Sequence, residues 1–271
     1  MSLIKSGLEY LRHRWRARRW DSFHSPFLFK LFSYACDDTI RFPLFDSIER
    51  CRHDLLNSAE SIRRSEFGAG SRMQENQLSQ SIAGIARTAL SLPFQCRFMS
   101  RLAHFTSPGV VVEFGTSLGI ATAYLSAGIP SGKIITIEGD PAVAEYAGKN
   151  FQCLGINNIS VVNETFETFL TGRLQDLKSI DLIFIDGNHR KASLLQYYAA
   201  FKKFFTPQTI VIVDDIYWSK EMNEGWKELT QYPEVTQSVD CFQFGLLFFN
   251  PGFINKEHHL IKLPWRSLGK K

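Results

Sequence analysis

Four residues in the second half of the chain carry groups that could act together on a hydroxyl. Asp186 and His189 lie three residues apart, and Asp214 is followed directly by Asp215. Three carboxylates gathered in one place repel each other unless a cation neutralises them, and oxygen ligands suit a hard ion such as Mg²⁺. Such an ion lowers the pKa of a bound hydroxyl, and a nearby imidazole can take the proton at neutral pH. We therefore expect a metal site at Asp186, Asp214 and Asp215, with His189 as the base.

Each of these residues also has a plainer interpretation. Adjacent strand residues point to opposite faces, so Asp214 and Asp215 can share an ion only where the strand has ended, and one of them could simply cap the next turn. His189 could equally be a surface histidine at the start of the helix predicted for 190–205. Both interpretations stay open at this stage.

The acids follow apolar segments that are typical of buried strands. The strand-like segments are KIITIE (133–138), ISVVN (159–163), DLIFID (181–186) and TIVIVDD (209–215). Segments with helical spacing separate them, including PAVAEYAGKNFQ and KASLLQYYAAFKKFF. This alternation predicts parallel strands with helices on both faces, and ligands of such sheets bind at the carboxyl ends of the strands. We expect the acids that end these strands to lie together in one crevice.

A glycine turn precedes these segments. Residues 110–119 read VVVEFGTSLG, an apolar run that breaks at Gly115 and Gly119 and leads into the helix-like IATAYLSAG. Glycine lets the backbone approach a ligand closely, and the free N–H groups of a new helix face whatever binds there. The pattern predicts a strand, a ligand-binding turn and a helix N-terminus. By itself it is typical of nucleotide, dinucleotide and adenosyl cofactor sites alike.

The order EFGTSLG, TIEGDP, FIDGNH and VIVDDIYW resembles the class I S-adenosylmethionine (SAM)-dependent methyltransferases, and among them the O-methyltransferases of the catechol and macrolide-sugar type. The resemblance covers roughly residues 90–250. It implies an α/β fold with a Rossmann-like, doubly wound, seven-stranded and mostly parallel sheet. Its last strand is antiparallel, which fits the two strand-like runs in 236–250.

The resemblance also implies a set of cofactor-binding residues. They are the turn residues Glu113, Gly115, Thr116, Ser117 and Gly119, then Glu138 with Gly139 after the second strand, Phe166 and Glu167 after the third, and Asp186. In that family the acid that ends the second strand binds both ribose hydroxyls, and the residues after the third strand flank the adenine. Glu113 could instead hold only the loop backbone. Glu138 could instead cap the following helix, although Asp140 before Pro141 is the better cap.

The family's metal ligands map to Asp186, Asp214 and Asp215. The catechol branch has a lysine base three residues after the strand-four aspartate, whereas the macrolide-sugar branch can use histidine there, as this chain has at His189. The resemblance thus implies a Mg²⁺-assisted O-methyltransferase for a small hydroxylated acceptor, with a sugar-like or alcoholic acceptor favoured.

Two rival motifs are weaker. Glu66 to Arg72 reads EFGAGSR, but the polar SIRRS before it cannot form the buried strand that such a turn must terminate. We expect a connecting loop there, or else a lid over the substrate. A dinucleotide dehydrogenase would also use an acid about 20 residues after the last glycine. However, Gly115 and Gly119 lack the G-x-G pair that a pyrophosphate requires.

The length and composition of the chain limit its domain organisation. With 271 residues and 44% hydrophobic content, the chain can bury one sizeable α/β core with an appendage. We expect a helical extension at 1–90, the cofactor-binding domain at 91–255 and a C-terminal tail at 256–271. Five scattered cysteines without a C-x-x-C pair fit a reducing compartment. The N-terminus lacks the apolar core of a signal peptide, so a cytoplasmic protein is expected.

The net charge of +4 resides in the first part of the chain. Residues 1–72 hold 13 Lys and Arg against 9 Asp and Glu, while 73–271 hold 18 of each. Ile4, Leu8, Leu11 and Trp15 fall on one helical face among several arginines. We expect this stripe to pack on the chain's own domain. Basic amphipathic helices of this kind also bind an anionic membrane surface or nucleic acid, and by analogy the extension could mediate a homodimer.

Two other functions fit the same sequence. A methyltransferase for nucleic acid or protein would suit the basic helix, but the chain lacks an Asn-Pro-Pro-Tyr type motif after strand four, where it has Asp-Gly-Asn-His. A cofactor-binding module without catalysis would not need acids at every strand end.

Overall fold

The computed structural model describes residues 3–63, 79–253 and 255–264. These residues form two compact units. One unit is residues 34–176, which we call the glycine-turn unit. The other combines residues 3–33 with 177–264, and we call it the composite unit because two separate chain segments build it. The motif at 66–72 lies outside the described residues.

The glycine-turn unit contains six helices and five strands within its described residues. In chain order these are α3 (Phe45–Asn57), β2 (Ser61–Arg63), β3 (Ser79–Ser81), α4 (Ile82–Ala89), α5 (Pro93–Thr106), β4 (Val110–Phe114), α6 (Ile120–Gly128), β5 (Lys133–Ile137), α7 (Pro141–Cys153), β6 (Ile159–Val162) and α8 (Phe166–Thr171). Strands β4, β5 and β6 pair in parallel in that order. The strands predicted at 133–138 and 159–163 are confirmed to within one residue.

Apolar side chains explain why β4 and β5 form the centre of this unit. Val111, Ile134 and Ile137 are fully buried, as expected for parallel strands covered by helices on both faces. Helices α3 and α4 pack together and contribute to one cluster of buried side chains with α6 and α7. The helices expected before residue 90 are therefore confirmed, with the short antiparallel strand pair β2–β3 in addition.

The composite unit contains four helices and six strands within its described residues. They are α1 (Leu3–Arg16), β1 (Arg18–Arg19), α2 (Pro26–Ala35), β7 (Leu182–Ile185), α9 (Lys191–Phe201), β8 (Ile210–Asp214), α10 (Lys220–Gln231), β9 (Gln237–Asp240), β10 (Phe244–Phe248) and β11 (Glu257–Lys262). The strand order is β1-β11-β9-β10-β8-β7. Strands β7 and β8 are parallel, whereas β10 is antiparallel to both β8 and β9.

The predicted fold class is confirmed. Strands β4 to β8 alternate with helices and lie parallel to their partners within each unit, which is the Rossmann-like, mostly parallel arrangement. The seven strands that the resemblance implies are β4 to β10. The antiparallel pair at 236–250 is present, and its turn is Cys241–Gln243. Phe242 occupies the left-handed region there with φ 74°, and its N–H donates to the Asp240 carboxylate.

The two chain ends depart from expectation. Residues 257–262, assigned to a C-terminal tail, form β11 and pair in parallel with β9. Arg18 and Arg19 form the short β1 beside β11. These additions satisfy backbone groups that an edge strand would leave unpaired. The boundary between residues 90 and 91 remains a prediction.

The orientation of α1 is also a correction. We expected its apolar stripe to pack on the chain's own domain, but Leu8, Leu11 and Trp15 are 51%, 63% and 88% exposed. The opposite side of the N-terminal segment is the packed one, since His13 and Ala17 are buried. A buried contact between Nε2 of His13 and Oδ1 of Asp240, which lie 3.0 Å apart, holds this side against the unit.

The glycine turn between β4 and α6 has three residues with positive φ. Gly115 has φ 103°, Ser117 has φ 48° and Gly119 has φ 83°. Gly119 is the N-cap of α6, and a Cβ added there would lie 2.6 Å from the ring of Phe151 on α7. Both the backbone conformation and the close packing therefore require glycine at this position.

We expect Gly119→Ala to destabilise the protein by about 1–3 kcal/mol, because the new methyl group meets Phe151 in a backbone conformation that alanine disfavours. Denaturant unfolding measures this difference. Gly148→Ala on α7 is the matched control, since a Cβ there meets nothing within 4 Å. The control should be neutral or slightly stabilising, and equal stability of the two variants would contradict the expectation.

Candidate functional site

Glu113 is the buried centre of the glycine turn. It precedes the last residue of β4, is fully buried, and accepts hydrogen bonds at Oε2 from the hydroxyls of Thr122 and Thr136. Since the one hydroxyl proton of Thr136 goes to Glu113, Thr116 must donate to Thr136 across 2.6 Å. These contacts join β4, β5, the turn and α6 through a single carboxylate.

The second oxygen of Glu113 is different. Among the described residues, no donor lies within hydrogen-bonding distance of Oε1, and the same holds for the buried hydroxyl oxygen of Ser117. Burial raises the pKa of Glu113 to about 7, the two threonine hydroxyls act in the opposite direction, and the negative charge of Glu138 adds to the rise. The turn therefore offers two buried polar atoms that a ligand could satisfy.

Glu138 lies directly after β5 and holds the turn from the other side. Its Oε2 accepts the N–H of Ser117 and its Oε1 accepts the N–H of Asp140, each at 3.0 Å. Asp140 caps α7 by accepting from the N–H groups of Ala142 and Val143, so the prediction that Asp140 rather than Glu138 caps this helix is confirmed. Glu138 is half-buried.

Phe166 begins α8 and stacks on Phe114 at the end of β4. The ring centroids lie 4.5 Å apart and the planes differ by 8°. Phe114 is fully buried, whereas Phe166 is half-buried and Glu167 is exposed. Phe166 thus keeps a partly exposed ring beside the strand that carries Glu113.

The strand-end acids of the composite unit occupy three different settings. Asp214 is the last residue of β8 and is 6% exposed, whereas Asp215 has turned into the left-handed region with φ 52°. Asp186, directly after β7, is half-buried. The Oδ2 atom of Asp215 lies 3.9 Å from Nε2 of His189. The structure therefore brings His189 together with Asp215.

The expected metal site is not formed by these side chains. Within the described ranges, no group of three or more His, Cys, Asp or Glu side chains is arranged to hold a metal ion. The chain does leave the strand after Asp214, as a shared ion would need. However, the turn at Asp215 directs its carboxylate toward His189, while Asp214 stays within the buried strand.

Burial lowers the pKa of His189 below its ordinary value of 6.5, and the nearby Asp215 carboxylate opposes part of this change. The side chain of His189 is 25% exposed. Its ring lies 5.5 Å from that of Trp218, whose side chain is largely exposed. A neutral imidazole with an acidic neighbour and partial access to solvent is suited to accept a proton.

Sequence reasoning missed a buried network that supports the loop after β8. Asp240 at the end of β9 accepts from the hydroxyl of Tyr217 at 2.9 Å and pairs with Nε2 of His13 at 3.0 Å. Tyr217 is two residues from Asp215 and also stacks on Phe242. His13 and Asp240 are 227 residues apart, and no local pattern could have linked them.

Residues 112–216 match a family model described as a methyltransferase domain. They run from β4 through the glycine turn to the residue after Asp215. This part of the chain is therefore similar to a methyltransferase domain. A comparison with curated protein sequences found no match.

The chain also resembles solved structures over most of its length. An O-methyltransferase from Bacillus cereus in complex with SAH is 16% identical, with 80% of this chain and 96% of that chain covered and a TM-score of 0.55. The SAH-bound methyltransferase PaMTH1 of Podospora anserina is 13% identical, with coverages of 84% and 97% and a TM-score of 0.56. TomG from Streptomyces achromogenes, an O-methyltransferase involved in tomaymycin synthesis and solved with SAM, is 20% identical over 59% and 82%, with a TM-score of 0.52. At these identities the likeness shows the fold.

None of the described helices has the length and apolar character that crossing a bilayer requires.

The buried Glu113 predicts a specific dependence of stability on pH. Its pKa rises from 4.5 in the unfolded chain to about 7 when folded, so the folded protein keeps a proton that the unfolded chain releases within this window. Stability should therefore fall as pH rises from about 4.5 to about 7, by roughly 3 kcal/mol in all. Glu113→Gln removes this loss. The difference in free energy of unfolding between the variant and the wild type should therefore shift in favour of the variant by roughly 2 kcal/mol between about pH 5 and about pH 8.

Denaturant unfolding without cofactor, at several pH values, measures this gain. Glu167→Gln replaces an exposed carboxylate of the same unit and serves as the control, with a stability difference that stays nearly constant with pH. A constant difference for Glu113→Gln as well would show that Glu113 is ionised in the folded protein over the whole range.

Proposed function

We propose that this protein is a SAM-dependent methyltransferase that methylates a hydroxyl group of a small molecule, with His189 as general base. The observation that carries the proposal is the glycine turn with its buried, partly unpaired Glu113. The contact between His189 and Asp215 supports the choice of a hydroxyl acceptor.

The glycine-turn residues fit SAM in charge and in shape. When bound, SAM supplies an electrophilic methyl group on a positively charged sulfur. Glu113 and Glu138 bring two carboxylates to the turn. Burial, and to a smaller extent the charge of Glu138, raise the pKa of Glu113, and a cationic ligand offsets both effects. Oε1 of Glu113 and Oγ of Ser117 are buried polar atoms available to the amino-acid part of the cofactor.

Other residues would hold the remaining parts of the cofactor. Glu138 accepts the ribose hydroxyls, beside the half-buried Gly139. Phe166 offers its partly exposed ring to the adenine, with Glu167 at the same helix N-terminus. Gly115, Thr116 and Gly119 let the backbone come close to the ligand.

His189 removes the acceptor's proton in this proposal. Because burial lowers its pKa, the imidazole is neutral near pH 7 and ready to accept. The Asp215 carboxylate near Nε2 favours the tautomer that keeps its proton there, which leaves Nδ1 as the acceptor, and it stabilises the imidazolium that forms. Trp218 offers an exposed ring next to His189 for an apolar part of the acceptor.

No step of the proposal is built on a metal ion. Asp186, Asp214 and Asp215 were expected to hold Mg²⁺, but their arrangement in the described chain does not provide three ligands. Asp215 instead has His189 as a partner. Asp186 stays a predicted cofactor-binding residue.

The first test is calorimetric titration of the full chain with S-adenosylhomocysteine, the product of methyl transfer. We expect binding in the micromolar range for the wild type. Glu138→Gln should weaken it by about tenfold or more. The glutamine amide has one acceptor oxygen, whereas the carboxylate has two that can accept the ribose hydroxyls.

Glu145→Gln on α7 is the matched control, since Glu145 is exposed and pairs only with Lys149 among the contacts of the described chain. Its affinity should equal that of wild type. Thermal melting without ligand separates loss of binding from loss of the fold. If the wild type does not bind S-adenosylhomocysteine, the proposal fails at the cofactor.

The role of His189 is tested with methyl-labelled SAM and a panel of small hydroxylated acceptors. His189→Gln should lower kcat by about 10²- to 10⁴-fold near pH 7 while the affinity for S-adenosylhomocysteine stays the same. In the wild type, kcat should fall as the pH drops through the pKa of His189. Asp215→Asn should move this fall to lower pH, because the carboxylate raises that pKa.

Arg190→Gln changes the exposed neighbour of His189 and should leave kcat unchanged. A kcat for His189→Gln within threefold of wild type, on an acceptor that the wild type methylates, would remove His189 from the mechanism without affecting the cofactor assignment.

A further inference from the structure

Helix α1 presents an apolar stripe to solvent. Leu8, Leu11 and Trp15 recur at helical spacing, and their exposed fractions rise from 51% to 88% along the helix. Most proteins leave single apolar side chains exposed, but three on one short helix face form a continuous patch. The helix is folded and attached without using this face.

Positive charges flank the stripe. Residues 1–20 contain six Lys and Arg and one Glu. Arg12, Arg16 and Arg18 are exposed, and no carboxylate of the described chain lies within ion-pair distance of them. Arg19, by contrast, is paired with Asp21. The apolar stripe therefore lies beside a group of guanidinium groups that are open to an anionic partner.

Contacts on the opposite side of α1 hold the apolar stripe in its exposed position. His13 pairs with the buried Asp240, and Tyr10 packs edge-on against Phe242 at 5.0 Å. The stripe is thus held in place by the composite unit before any partner binds. A peptide that must fold at a surface loses conformational entropy on binding, whereas this helix is already ordered.

We propose that α1 docks the protein on an anionic lipid bilayer. In this arrangement the helix lies in the plane of the surface, with Leu8, Leu11 and Trp15 among the lipid chains and headgroups. Arg12, Arg16 and Arg18 contact the lipid phosphates. The enzyme is then a peripheral membrane protein, held by one preformed helix.

Charge and chemistry favour this partner over two others. A second copy of the chain, related by a two-fold axis, would bring the arginines of both copies together as the apolar stripes met, which is repulsive. A nucleic acid would satisfy the arginines but gives no apolar layer for Leu8 and Leu11. A bilayer with acidic headgroups satisfies both features at once.

The test is co-sedimentation of the full chain with vesicles of phosphatidylcholine alone or with phosphatidylglycerol added. We expect binding to the anionic vesicles only, weakened by high salt. The double variant Leu11→Ser/Trp15→Ser should weaken binding about tenfold or more by removing inserted apolar area. Arg12→Gln/Arg16→Gln should weaken it by a similar factor through lost phosphate contacts.

Two matched controls test whether vesicle binding depends on α1 in particular. Trp218→Ser removes another exposed tryptophan of the composite unit, and Arg50→Gln removes an exposed arginine of α3; both should bind vesicles as the wild type does. In addition, the tryptophan emission should shift to the blue on binding, and Trp15→Phe should reduce this shift while the protein still sediments with vesicles.

Three outcomes would overturn the proposal. The first is equal or absent binding to neutral and anionic vesicles. The second is a wild-type dimer in light scattering that the Leu11→Ser/Trp15→Ser variant converts to a monomer, which assigns the stripe to a second copy. The third is tight binding to a mixed-sequence oligonucleotide that depends on Arg12 and Arg16 but not on Trp15, together with no vesicle binding.

Discussion

The cost of burying one carboxylate sets the geometry of the glycine-turn unit. Glu113 has no access to water, so its oxygens must be satisfied within the fold. Thr122 of α6 and Thr136 of β5 supply two hydroxyls to one oxygen, and this fixes where the helix begins relative to the strands. The second oxygen has no hydrogen-bond partner among the described residues. In the proposed function, a cationic cofactor would offset the cost of ionising this buried group.

A second buried carboxylate plays a comparable part in the composite unit. Asp240 accepts from Tyr217, from the backbone of Phe242 and from His13, and these donors come from three separate segments. One side chain therefore fixes the loop that follows Asp215 and the packed face of α1 together. The carboxylate that holds the loop beside His189 through Tyr217 also holds α1 through His13, and the apolar stripe of α1 therefore faces outward.

Local sequence predicted the central strands and their order along the chain well. The apolar runs that end at Glu138, Asp186 and Asp215 form strands to within a residue or two, since a continuous apolar run needs burial on both faces. The glycine pattern likewise predicted the turn, because positive φ at Gly115 and Gly119 leaves few other residue types acceptable. The cofactor-binding residues stay predictions, which rest on their places after the strands.

The sequence by itself determined the class of fold, the glycine turn and the acids at the strand ends, because these depend on periodicity and on the backbone conformations of single residues. Only the tertiary structure decided that Asp215 lies beside His189 rather than joining a set of three aspartates: the chain turns there with φ 52°, and Oδ2 of Asp215 lies 3.9 Å from Nε2 of His189. It also decided that α1 buries His13 and exposes Trp15, and that 257–262 completes a sheet. These outcomes rest on contacts between residues far apart in the chain, and amphipathic spacing alone does not say which face finds a partner.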